Sequence, residues 1–313
     1  MMTRRQHRPS DSGPLKDRVV VVTGAARGLG EGLAHALARR GARLALLGLE
    51  EERLRRLAAA LPGRSAHWTV DVADADGLAA AAEAVRDTLG EPSVVVANAG
   101  VALGGPLLEC EPAAWRRVVD VNLVGSALTV RAFLPGLLRT HGYYLQVASL
   151  AALAPSPLLT AYCASKSGVE AFAHAFRAEV AHQGVGVGIA YLSWADTDMI
   201  RAADETAVFR ELRTHMPWPL SATHGTAPFV RAMVRGIERR SAHVYAPRWL
   251  RGANAARACL PSVITYRSRQ VLAAHGDAPL PPTGLLGPGG SAAGSAGPDH
   301  PELRAAEEPR QAE

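Results

Sequence analysis

Four valines in a row, Val19 to Val22, open the segment DRVVVVTGAARGLGEGLAHALARRGARLALLGLE at residues 17–50. Valine is stiff at its first side-chain torsion and suits an extended chain, and an unbroken apolar run has no face left for water. A strand buried on both faces is the natural reading. A glycine-rich turn follows, and then Leu29, Leu33 and Leu37 recur at helical spacing. Gly41 stops that helix, and a second apolar run, Leu44 to Leu47, begins. Two strands joined by a helix lie parallel, and the crossover is right-handed. A chain that starts this way builds a parallel sheet with helices on both faces.

The alternation continues. Strands are expected at Ala66 to Val70, Ser93 to Ala97, Tyr143 to Ala148, Val185 to Leu192 and Ala242 to Ala246. Helices are expected over 76–89, 112–138, 158–183, about 197–215 and about 224–239, the second opened by Pro112. The fold class is therefore α/β: a doubly wound parallel sheet of Rossmann type, about seven strands, with helices on both faces, in a single domain over 17–246. Residues 1–16 read as a disordered leader and 247–275 as a basic helical extension. The Pro-, Gly- and Ala-rich stretch 276–313 reads as a disordered tail, because it offers little apolar material for a core.

Charge and composition narrow the function classes. The net charge is +5, but the arginines are scattered without a basic block, so a nucleic-acid partner is not expected. No run of roughly 18 apolar residues is free of charge, and the polar start lacks the apolar core of a secretory signal. Cys110, Cys163 and Cys259 have no metal-like spacing and read as thiols of a reducing cytoplasm, and the histidines are scattered too, so no metal is expected.

The turn itself is Thr23-Gly24-Ala25-Ala26-Arg27-Gly28-Leu29-Gly30. Glycines let backbone turn sharply and approach a ligand, and the helix N-terminus beyond offers free N–H groups to a pyrophosphate. Tyr162 and Lys166 stand four residues apart, so on a helix they share a face. Lys166 is one of only two lysines, with Lys16, among 34 basic residues. A compact ammonium on a flexible stem sits where an arginine fork has a different geometry and no accessible titration.

Taken in order, these motifs resemble the short-chain dehydrogenase/reductase family in its compact single-domain branch. The resemblance rests on the TGxxxGxG turn at Thr23 to Gly30, Asn98-Ala99-Gly100 after the fourth strand, Asn122 within VNLVG, Ser149 in QVASL, and the YxxxK pair of Tyr162 and Lys166. It covers about residues 17–246. It implies an NAD(P)-dependent oxidoreductase that moves hydride between nicotinamide and a secondary alcohol or ketone. Asn122, Ser149, Tyr162 and Lys166 would be catalytic, with Tyr162 the general acid and base, its phenol lowered by the nearby ammonium together with the positive charge of an oxidised nicotinamide. Ser149 would hydrogen-bond the substrate oxygen. Asn122 would kink its helix and hold a water that passes protons to the lysine. The dinucleotide would lie on Gly24, Arg27, Gly28, Leu29 and Gly30, with Asp71 and Val72 beside the adenine. Gly48, Asn98, Ala99, Gly100, Tyr162, Lys166 and Thr197 complete the expected cofactor set.

Two departures stand out. The position where NAD-specific members carry an acidic residue is aligned with Gly48, so no carboxylate repels a 2′-phosphate there, and Arg27 is free to pair with one. NADP(H) is favoured and NAD(H) stays open, because Glu50 is close enough to reverse the preference. The usual Pro-Gly after the sixth strand is Leu192-Ser193, although Thr197 is retained. Substrate identity is expected in 193–220, where Trp194, Met199, Ile200, Phe209, Met216, Trp218 and Leu220 point to a hydrophobic alcohol or ketone. The alternative is a non-catalytic dinucleotide-binding regulator or scaffold, disfavoured by the intact Asn122, Ser149, Tyr162 and Lys166. A homodimer or homotetramer in the cytoplasm is expected. Membrane-surface contact through 247–274 stays open but is not favoured over a helix capping the domain.

Overall fold

In a computed structural model of the protein, which describes residues 13–206, 209, 213, 218–275 and 280–296, the valine run becomes strand β1 (Val19–Thr23), buried along its whole length. β1 pairs in parallel with β2 (Arg43–Gly48) on one side and β4 (Pro92–Ala97) on the other. β3 (Ser65–Thr69), β5 (Tyr143–Val147), β6 (Gly186–Leu192) and β7 (His243–Ala246) complete a seven-stranded sheet in the order β3-β2-β1-β4-β5-β6-β7. Every pairing is parallel. The strand order reverses between β1 and β4, and ligands of such sheets bind outside the carboxyl ends of the strands at that point.

Helices cover both faces, which explains why β1 is apolar from Val19 to Val22. On one face, Leu33 and Leu37 of α1 (Gly28–Ala38) pack with Phe229 and Met233 of α8 (Thr226–Glu238) against Val20 and Val22. On the other, α3 (Ala75–Leu89), α5 (Gly125–Thr140) and α6 (Thr160–Val180) bring Leu78, Phe133 and Val169 against Val21 and Val95. The Asp74 carboxylate caps α3 by accepting from the Asp76 and Gly77 amides. The helix α2 (Glu51–Ala60) is not among the expected elements; only Leu54 and Leu57 of it are buried, too thin a stripe to read as a period.

The helix expected over 112–138 is α4 (Pro112–Val119) and α5 joined by a single π turn, Asp120–Val124. By length and composition Pro112–Thr140 would cross a membrane, and half of its most apolar window is buried in the domain. After β6 comes α7 (Asp198–Glu205). Beyond β7, α9 (Leu250–Ala255) and α10 (Leu260–His275) form the expected extension. It is pinned by Arg257, whose two terminal nitrogens donate to both oxygens of the buried Glu170 carboxylate at 2.6 and 2.7 Å. The Tyr191 hydroxyl donates to the same carboxylate at 2.6 Å.

Two boundaries need correction. Leu15 is buried against the core, so residues 13–16 are packed and do not belong to a disordered leader; 1–12 lie outside the described residues. Residues 280–296 are likewise packed and end in α11 (Gly287–Ser295), whereas 276–279 and 297–313 lie outside the described residues. The tail is poor in apolar residues, but Leu286 and Ala293 each fill a buried site that the rest of the fold supplies. A composition argument sees the content of a segment and not the slot it meets.

Candidate active site

The glycine turn is built by ties between β1 and β4. The Thr23 hydroxyl accepts from the Asn98 and Ala99 amides, each at 3.1 Å, and the Asn98 side chain donates back to the Thr23 carbonyl at 3.0 Å and the Gly24 carbonyl at 3.2 Å. Gly24 and Gly28 adopt φ of 62° and 57°, where a side chain is strained. A Cβ on Gly24 would lie 2.8 Å from the Ala99 Cα, and one on Gly30 would collide with the Gly24 carbonyl oxygen. No side chain caps α1 at Arg27, which leaves its first amides for an anion. This cradle fits a dinucleotide pyrophosphate: it is narrow, rich in free amides, and excludes side chains from its floor.

The expected catalytic residues lie at the carboxyl ends of β4 and β5. Asn122 sits fully buried in the π turn, a local widening often found at functional sites. Its Oδ1 accepts from the Val101 amide at 2.8 Å, and its Nδ2 donates to the Val101 carbonyl and the Ser165 hydroxyl, both at 2.9 Å. The asparagine thus clamps, at Val101, the segment after β4 that carries Asn98, Ala99 and Gly100. A Cβ on Gly100 would sit 3.1 Å from Asn122 Oδ1 and 3.4 Å from Lys166 Nζ. Ser149 ends β5 and caps the short turn after it, accepting from the Ala151 amide at 3.1 Å.

Tyr162 and Lys166 share one face of α6, with the ammonium 5.6 Å from the ring centre. Burial pulls the Lys166 amine down to about 8, and Nζ donates to the Val147 carbonyl at 3.2 Å. The Tyr162 phenol, with protein groups alone around it, moves upward. Burial pushes its phenol up to about 12, and a hydrogen bond with Ser149 opposes the rise without cancelling it. Desolvation of the phenolate outweighs the partners the protein offers it.

Ser149, Tyr162 and Lys166 open on one cavity of ≈ 390 Å³, shared with Gly24, Arg27, Gly28, Leu29, Gly30, Gly48, Asp71, Val72, Asn98, Ala99, Gly100 and Thr197. The structure therefore gathers every residue expected to touch a dinucleotide along one cleft. A profile for the short chain dehydrogenase family matches residues 18–207. The chain belongs to the short-chain dehydrogenase family. It is 36% identical over 193 residues to a probable oxidoreductase, EphD, of Mycobacterium tuberculosis, a match covering 60% of this chain. The chain spans about a third of that relative's length, 33%. It is 34% identical over 180 residues to 2-(S)-hydroxypropyl-CoM dehydrogenase 3 of Xanthobacter autotrophicus, covering 56% of this chain and 71% of that one. A solved short-chain dehydrogenase/reductase from Burkholderia phymatum, in complex with NAD, superposes with a TM-score of 0.67 at 23% identity, covering 79% of this chain and 95% of that one. That likeness speaks to the fold.

Within this family member, the partners of several residues lining the cleft were not legible beforehand. Arg27 does not stand free. Its Nε donates to Glu50 Oε2 at 2.7 Å, a terminal nitrogen meets the other Glu50 oxygen, and Nη1 donates to Asp198 at 2.8 Å. The Glu50 hydrogen bonds are the main reason the Arg27 guanidinium is held above its ordinary value. Asp71 is paired with buried Arg117 and accepts from the Ala73 amide at 2.9 Å. Thr197 packs its methyl on the Gly28 turn. At Leu192-Ser193, the Ser193 amide donates to the Ala246 carbonyl at 3.1 Å, and its hydroxyl is buried with no partner, on the cavity wall. An orphan hydroxyl there suits a polar group of a bound ligand.

The far end of the cavity is apolar. Leu150, Ala154, Leu159, Ile200, Phe209 and Leu220 line it, joined by one stripe of α10: Leu260, Val263, Ile264, Arg267, Ser268 and Val271. Those six recur at helical spacing, so one face of the basic extension looks into the cavity. Of the side chains expected between 193 and 220, Trp194, Met199, Ile200, Phe209 and Leu220 line it; Trp218 is exposed, and Met216 lies outside the described residues.

Proposed function

We propose that the protein is an NAD(P)-dependent oxidoreductase that interconverts a secondary alcohol and a ketone on an apolar molecule, with Tyr162 moving the proton. The observation that carries this reading is the opening of Ser149, Tyr162 and Lys166 onto one cavity with the glycine cradle at one end and an apolar chamber at the other. Bound NAD(P) supplies or takes up hydride at the substrate carbon. Tyr162 keeps its proton at neutral pH, because burial disfavours the phenolate, and delivers it to the substrate oxygen during ketone reduction. In the opposite direction the phenol first releases its proton to solvent, and the resulting phenolate takes the proton from the alcohol. The Ser149 hydroxyl offers a second hydrogen bond to that oxygen as charge builds on it. Lys166, beside the ring, stabilises negative charge on the phenol oxygen as the proton leaves. Asn122 holds the strand against which these groups are set.

Between the two dinucleotides, the Arg27 pairing supports NAD(H), against the preference for NADP(H) drawn from Gly48. A 2′-phosphate must displace Glu50 from a fork it already fills. The Glu50 carboxylate suits a ribose hydroxyl, the task an acidic residue performs near the end of the second strand. The chamber walls support a hydrophobic substrate. A cytoplasmic homodimer or homotetramer, paired through α4–α5 and α6, belongs to the same reading, and light scattering tests it. Calorimetric titration with NADH and NADPH tests the whole. Tighter NADH binding that reverses toward NADPH in Glu50→Ala supports the assignment. Binding of neither ends the dinucleotide reading.

A further inference from the structure

We propose that residues 280–296 form a strap that closes over the dinucleotide cleft, so that a dinucleotide enters and leaves only when the strap lifts. The proposal rests on the dinucleotide reading above. The strap is anchored first beside the active site. The Thr283 amide donates to the Gly104 carbonyl at 2.8 Å, and the Gly104 amide donates to the Thr283 hydroxyl at 2.9 Å. Leu285 forms an antiparallel bridge with Leu103, and the Leu286 amide donates to the Ala102 carbonyl at 2.8 Å. The strap thus pairs through a single antiparallel bridge with the backbone that leaves β4 just after Asn98-Ala99-Gly100. The Leu286 side chain is buried in a small apolar cluster with Ala102 and Ala203, bordered by Tyr162 and Met199.

From there it runs the length of the cleft. Gly287 turns at φ 74°, and a Cβ there would press to 3.2 Å on the Asp198 backbone. Gly289 lies against Arg27, where a Cβ would stand 3.6 Å from the Arg27 Cδ. At the far end, Arg117 Nε donates to the Ala293 carbonyl at 3.0 Å, and Ala293 is buried in the cluster that includes Val72. Arg117 also holds Asp71, so one arginine joins the strap to the expected adenine end.

The strap roofs the space and does not fill it. The ≈ 390 Å³ cavity is lined by Gly24, Gly28 and Gly30 on one side and by Gly289, Gly290 and Ala293 of the strap on the other. Residues 287–295 read GPGGSAAGS, with no charged side chain to compete with phosphates and no bulk to intrude. Few anchors hold the segment down, as a device that must open requires.

Stopped-flow measurement of NADH binding and release tests this on the full chain. Leu286→Asp places a carboxylate in the apolar anchor and should raise both the association and the dissociation rate constants, by about tenfold or more. Thr283→Val removes one anchor hydrogen bond and should shift both rates the same way by less. Hydrogen exchange on the unaltered protein should show the Thr283 and Leu286 amides slowing when NADH is added. Should Leu286→Asp unfold the domain, the milder variant and the exchange measurement carry the test. Unchanged rates with unchanged exchange overturn the strap alone. A rise in association only, with exchange quickened by NADH, overturns it in favour of a segment that competes for the cleft. No dinucleotide binding by the unaltered chain removes the reading beneath it as well.

Discussion

Lys166→Met should make the protein more stable at neutral pH while destroying its chemistry. Lys166 is 4% exposed, and burial brings its amine from 10.5 down to about 8. At ~1.36 kcal/mol per tenfold change, that displacement means the charged lysine costs about 3 kcal/mol in the folded state. Methionine keeps the length and apolar stem. It gives up the hydrogen bond to the Val147 carbonyl, which takes back about 1 kcal/mol. The net gain is about 2 kcal/mol, which for a chain of this size raises the melting temperature by roughly 5 °C. The sign with pH follows from the two titrations. Below pH 8 both folded and unfolded lysine are protonated, and the cost is fully present. Between 8 and 10.5 the folded chain has released its proton while the unfolded chain still holds it, so the unaltered protein gains stability as pH rises. The advantage of Lys166→Met should therefore be greatest near pH 7, vanish near about pH 10 and reverse slightly above it, where only the lost hydrogen bond remains. Thermal unfolding followed by circular dichroism across this range measures it. A variant that melts lower at pH 7, or whose advantage does not shrink with pH, would refute the reasoning.

Further outcomes follow from the same geometry. Tyr162→Phe should lower kcat by about 10²- to 10⁴-fold and leave the NADH dissociation constant within about twofold, since only the proton is lost; steady-state kinetics with calorimetry separate the two. Asn122→Ala unpairs both backbone groups of Val101 and should cost about 2–4 kcal/mol in urea unfolding, with an unchanged slope. Gly30→Ala should abolish dinucleotide binding in calorimetry, because its Cβ would collide with the Gly24 carbonyl that shapes the cradle.

Much of the fold was legible because its signals are local. An unbroken valine run can only be a strand covered on both faces, and the helix that follows it sets the parallel pairing. The short helix α2 escaped because two buried leucines make no period. The residues of the candidate site were legible as types at spacings, Tyr162 and Lys166 above all. Their states were not. The phenol was expected to fall beside an ammonium and an oxidised nicotinamide; how strongly burial by the protein alone opposes that fall was not legible. Arg27 was expected to be free, yet Glu50 and Asp198, the latter 171 positions away, both reach it.

By itself, the sequence determined the sheet, its parallel sense, the glycine cradle and the pair of residues that would move a proton, since each depends on neighbours within one turn or one strand–helix unit. Only the tertiary structure decided which charges are already paired, how far burial shifts Tyr162 and Lys166, and where residues 280–296 of the glycine-rich tail lie. Those depend on desolvation and on contacts between distant segments. The 287–295 stretch, which composition reads as featureless, meets Arg27 and Arg117 because the fold brings those distant arginines to the cleft it crosses.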